Sequence, residues 1–149
     1  MNWSGHWHGY GPWIGSRSEY GQEHLRRPGT SPGDEQTRMF MASTIPPIQT
    51  GHVLLRRHQA ARDRTWTTVQ EAVDWLTKNF NDRPPFERAD GLGAYLSLAS
   101  RIEGAEEYLP LGADTIWAYY TRSGAFMTFE VICCPSRLHP DILCPLPPG

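Results

Sequence analysis

Residues 115–133 read TIWAYYTRSGAFMTFEVIC: two β-rich runs, 115–121 and 125–133, separated by Arg122, Ser123 and Gly124. Aromatic and β-branched residues on both sides of a Gly-containing turn specify an antiparallel hairpin. A two-residue Ser123-Gly124 loop sets Tyr120 opposite Met127, Ala118 opposite Phe129 and Ile116 opposite Val131. All three pairs are apolar, so this face is expected in the core of a half-buried sheet. Trp117, Tyr119 and Glu130 then share the opposite face. They are the first candidate partner-binding residues, because an exposed Trp–Tyr patch on a lone domain calls for a cover.

Working outward, residues 103–114 read as an acidic loop carrying Glu103, Glu106, Glu107 and Asp114. Residues 93–102 fit both a helical and an alternating pattern, and the nearby glycines and following hairpin favour a strand. The clearest helix lies at 68–80. Thr68 with Glu71 forms a capping-box signature, and Val69, Ala72, Val73, Leu76 and Phe80 recur at helical spacing before Pro84-Pro85. Residues 37–44 (TRMFMAST) read as a short strand, and 52–57 (HVLLRR) as a strand or the first turn of a helix.

The implied fold class is α+β: a small antiparallel sheet, hairpin 115–121/125–133 plus one or two further strands, packed on helix 68–80. Residues 36–134 form a single domain. Residues 1–35 hold seven of the fourteen glycines, interleaved with Trp3, Trp7, Tyr10, Trp13 and Tyr20, and are expected to be a flexible arm. That arm is also the expected cover for the Trp117–Tyr119 face. Residues 135–149 carry five prolines and are expected to run as an irregular tail.

The net charge of −2 provides no general field for nucleic acid, and no apolar run approaches the ~18 residues of a membrane span. The N-terminal stretch, broken by Gly, His and Pro, does not read as a signal peptide. Three cysteines, two of them adjacent, make a poor disulfide framework, so a cytoplasmic location is expected.

Three clusters offer chemistry. Cys133, Cys134, His139 and Cys144 have zinc-ligand chemistry but match no standard spacing, and neighbouring strand residues point to opposite faces. These four are therefore not expected to share a metal, and no cofactor is expected. His6 and His8, with His24 and the carboxylates of Glu19 or Glu23, offer a second set, expected to be solvated histidines of the arm. Arg56, Arg57, Arg62 and Arg64 against Asp63 form a basic stretch, in which Arg56 and Arg57 are candidate partner contacts. Balance by the acidic loop is the simpler reading of that stretch.

No nucleotide-binding or hydrolase motif is present. The expected function is a non-enzymatic protein-binding or accessory module acting through aromatic surface. The alternative is a small enzyme, with or without assistance from a metal, that uses the His and Cys clusters on a small molecule. A nucleic-acid-binding regulator ranks third.

Overall fold

The computed structural model describes residues 2–87 and 96–149. Four antiparallel strands form one sheet in the order β2-β1-β4-β3, where β1 is His6–Gly15, β2 Thr65–Trp66, β3 Thr115–Tyr120 and β4 Phe126–Cys134. The α+β class is as expected.

The stretch expected as a flexible arm supplies β1, which lies at the centre of the sheet. Its side chains alternate: His6, His8 and Tyr10 share one face, while Trp7 and Gly9 share the other. Gly9 is needed there, because a Cβ would stand 2.6 Å from the ring of Trp66 and 3.2 Å from that of Trp75. A bulge between Tyr10 and Trp13, with Gly11 at φ +94°, then shifts the register against β4.

The hairpin forms, but its register differs by one residue from the expected one. Thr121 N–H donates to the Ala125 carbonyl at 2.8 Å, and Gly124 adopts φ +87°. The loop is thus Arg122-Ser123-Gly124, a three-residue turn with glycine in the left-handed position. Tyr119 now pairs with Met127 and Trp117 with Phe129. One residue of slip exchanges the faces. Trp117 and Tyr119 are buried with Phe129 under Phe80, whereas Ile116 and Tyr120 are exposed. The arm therefore does not act as a lid over Trp117.

The inner helical layer packs on that Trp117 face. Of the helices α1 (Arg17–Tyr20), α2 (Glu35–Ala42) and α3 (Val69–Asp82), the third starts where the Thr68 hydroxyl accepts from the Glu71 N–H. It buries Ala72, Val73 and Leu76, with Val69 and Phe80 partly covered. Leu98–Tyr108 is a helix, α4, that packs beside α3, with its N-cap at Ser97. Residues 93–95 of the expected strand lie outside the described residues. Glu103, Glu106 and Glu107 are on α4 and so do not form a loop.

All nine residues of β4 are buried, so the sheet is covered on its second face as well. The expected strand at 37–44 is instead a helix, Glu35–Ala42, because Asp34 caps it by accepting from the Thr37 N–H at 2.7 Å. Residues Thr50–Leu55 form a 3-10 helix whose Val53 and Leu54 pack with Tyr10, Ile132 and Cys134. The irregular tail after Cys134 completes this second layer through Ile142 and Cys144.

Candidate metal centre

Strand alternation builds the site. His6 and His8 project from β1 on the second face, and His6 is the direct cross-strand partner of Cys134 at the end of β4. Cys144 returns to them from the tail. Arg57 holds it there by donating to the carbonyls of Cys144 (3.3 Å) and Pro145 (3.4 Å). Arg62 donates to the Gly149 carbonyl at 3.3 Å.

The four donor atoms lie within 4.8 Å of one another. His6 Nε2 is 3.1 Å from His8 Nε2, and Cys144 Sγ is 3.3 Å from the first and 3.7 Å from the second. Zinc–nitrogen bonds of ~2.0–2.1 Å and zinc–sulfur bonds of ~2.3 Å imply tetrahedral edges of roughly 3.3 Å for N–N, 3.6 Å for N–S and 3.8 Å for S–S. The three separations among His6, His8 and Cys144 are within about 0.3 Å of those edges, and the distances to Cys134 Sγ, 4.8 Å or less, would need a contraction of about 1 Å at most.

The protonation of His8 is fixed by its neighbours. The Thr65 hydroxyl donates its one proton to the Ala61 carbonyl at 2.8 Å, so it can only accept from His8 Nδ1, 2.9 Å away. The proton of neutral His8 is on Nδ1, and Nε2 presents a bare lone pair to the cluster. Burial, and secondarily His6, pushes the His8 pKa down to about 4, and burial lowers that of His6. Both imidazoles are thus in the neutral form that binds metal. Burial raises the Cys134 thiol to about 12, with Cys144 adding to the effect. A bound cation would reverse this by stabilising the thiolate.

The structure joins half of each cluster weighed from sequence. Cys133 points to the opposite face, where its thiol donates to the Leu109 carbonyl at 3.8 Å. His139 stacks on His52 at 4.3 Å and pairs with Gln49 at 2.8 Å. Cys133, Cys134, His139 and Cys144 therefore do not converge. His24 lies in a short 3-10 turn, Glu23 pairs with Arg27, and Glu19 accepts from the Ser16 N–H.

A cleft of about 450 Å³ beside His139 is also lined by Asp114 and Ser136. The Asp114 carboxylate is already engaged by the Cys133 N–H and the Thr50 hydroxyl, and the backbone N–H of His139 donates to Ser136 Oγ at 3.2 Å.

The remaining candidates are buried, with one exception. Trp117, Tyr119, Glu130 and Arg56 are each 5% exposed or less, and none offers the partner surface expected of it. Arg57 is exposed and holds the tail. The ion pairs among the described residues do not link the basic stretch to Glu103, Glu106 or Glu107.

Glu130 faces the second layer, where its Oε2 has no hydrogen-bond partner. Burial and then Asp114 raise its pKa to about 8, against the opposing influence of Arg26 and Arg56. The folded state thus binds this proton more tightly than the unfolded chain. The resulting stabilisation is complete below the ordinary carboxylate range and is lost as pH rises through about 8. In metal-free protein, Glu130→Gln should gain on the wild type between pH 5 and pH 8, by up to about 1.4 kcal/mol per pH unit. Parallel urea titrations at several pH values provide the check; a constant gap between the two proteins would refute it.

No protein-family model matches the chain, and neither a curated protein nor a solved structure shows significant similarity to it. Among the described residues, no helix is long and apolar enough to cross a membrane. The functional reading therefore rests on the site.

Proposed function

We propose that this chain is a metal-binding protein that holds one zinc-class divalent cation through His6, His8, Cys134 and Cys144. The observation that carries the reading is the tetrahedral spacing of four donors, with the lone pair of His8 directed inward by Thr65. Two nitrogens and two sulfurs in a single tetrahedron suit zinc. The protein supplies all four ligands, which leaves no open position for substrate, so the ion is structural. It ties the central strand and the end of β4 to the tail. A closed shell favours a non-enzymatic accessory role over the metal-assisted enzyme. Two ligand thiols that must stay reduced support a reducing compartment such as the cytoplasm.

Elemental analysis tests the reading. Reduced protein exposed to zinc and freed of excess should retain one zinc per chain, and cobalt in its place should give the intense visible bands of a tetrahedral thiolate complex. His8→Ala and Cys144→Ser should each abolish stoichiometric retention, whereas Cys133→Ala should keep it. Wild-type protein that retains no zinc, or equal retention by all four proteins, would refute the assignment.

A further inference from the structure

Cys134 and Cys144 are mutual neighbours as well as metal ligands, with Sγ atoms no more than 4.8 Å apart. Their surroundings differ. Cys134 is 2% exposed and fixed at the end of a central strand, whereas Cys144 is partly exposed in a tail without helix or strand. Closing the gap to a disulfide length of about 2.05 Å needs a movement of less than about 3 Å, which falls to the tail and not to the central strand. Cys133 is separated from both by the sheet.

We infer that Cys134 and Cys144 form an oxidisable pair, and that a peroxide converts them to a disulfide and so expels the metal. This deepens the metal-binding reading and rests on it. The accessible Cys144 thiolate attacks one oxygen of the peroxide. An S–O bond forms, the O–O bond breaks, and the departing hydroxide takes a proton to become water. The Cys134 thiolate then attacks the sulfenic sulfur of Cys144. The S–S bond forms, the S–O bond breaks, and a second hydroxide leaves as water after protonation.

Overall, two thiolates, one hydrogen peroxide and two protons give one disulfide and two waters. The protein loses two electrons and the peroxide gains them. The cation then retains only the two neutral imidazoles of His6 and His8, and it dissociates. Oxidation would therefore exchange the metal clamp for a covalent bond between the tail and the end of β4, without breaking the sheet.

The experiment treats zinc-loaded full-length protein with one equivalent of hydrogen peroxide. A chromogenic chelator reads released zinc, and peptide mapping under non-reducing conditions identifies the sulfur products. Zinc release in one-to-one ratio with a Cys134–Cys144 disulfide is expected, with reduction and added zinc restoring the complex. Cys133→Ala should behave as wild type. Zinc retained while Cys144 is oxidised to a sulfinic acid, or a disulfide that uses Cys133 or a second chain, would overturn the inference.

Two further results separate this inference from the metal assignment. A chain that takes up no zinc yet forms the Cys134–Cys144 bond would refute the metal reading and keep the oxidisable pair. A chain that loads zinc and forms no such bond would do the reverse.

Discussion

Chelation of zinc from the reduced protein is expected to lower its thermal midpoint by roughly 8–16 °C relative to protein in excess metal. A ligand that binds only the folded state stabilises it by about 4 kcal/mol when free ligand stands a thousandfold above its dissociation constant. For a chain of this size, each kcal/mol shifts the midpoint by about 2–4 °C. The metal-specific loss should concentrate on the second face. Tail amides around Cys144 should exchange with solvent faster once the ion is removed, whereas amides of α3, on the far side of the sheet, should change little. Differential scanning calorimetry with and without chelator measures the midpoint, and hydrogen exchange locates the change. An unchanged midpoint would mean that the four donors hold no ion of structural consequence.

Replacing Arg56 by alanine is expected to cost about 3–5 kcal/mol, the range found when one member of a buried charged set is removed. Arg56 is fully buried, and its guanidinium donates to the carbonyls of Phe40 (3.0 Å), Ile45 (2.8 Å) and Leu25 (3.1 Å). It also lies 4.2 Å above the ring of Phe40. Burial lowers its pKa to about 10, which still leaves it charged at neutral pH. Alanine would take the donor from the carbonyls of Ile45 and Leu25, leave that of Phe40 with the Ser43 N–H alone, and remove a positive charge from the surroundings of Glu130. Lysine should not rescue it, because a single ammonium cannot reproduce the planar fork. Arg57→Ala, one residue away and exposed, should cost under about 1 kcal/mol. Urea denaturation of the three variants decides; equal losses at both positions would show that Arg56 is not the brace it looks to be.

The parts of the fold legible in the sequence were those set by local interactions. Helix α3 carries its own start signal at Thr68, and its apolar stripe needs no knowledge of what it packs against. Both strands of the hairpin were legible too, but its register depended on whether the loop has two residues or three. Arg122 can serve in either, so the sequence pattern did not reveal that Trp117 points inward.

Strand β1 escaped for a different reason. The alternation His6-Trp7-His8-Gly9-Tyr10 is present, but one face is built of histidine and tyrosine and the other includes a glycine, so no hydrophobic alternation stands out. What makes Gly9 a core residue is the pair of indole rings that fill its missing side chain, and those come from residues 66 and 75.

Half of the candidate metal centre is visible in each of two places in the sequence. A His-x-His pair lay near the start of the sequence and a Cys-rich stretch near its end, and each alone lacked a full ligand set. The antiparallel pairing of β1 with β4 merges them, and nothing local to either segment announces that pairing. The helix Glu35–Ala42 differs from the expected strand because Met39, Phe40 and Met41 suit either state, and the cap that decides, Asp34, lies before the 37–44 stretch.

The order of the strands also has a consequence for how this protein comes into being. The strand made first, β1, sits between β2 and the strand made last, β4, and β3 reaches the rest of the sheet only through β4. During synthesis α3 can begin to form as soon as it emerges, because its backbone hydrogen bonds and its Thr68 cap are local. The indoles of β1, by contrast, wait with one edge unpaired until the final strand leaves the ribosome. Closing so long a loop before any long-range contact repays it makes this a slow-folding topology for its size. Through that interval the aromatic segment that carries β1 stays without the strand that pairs along its length.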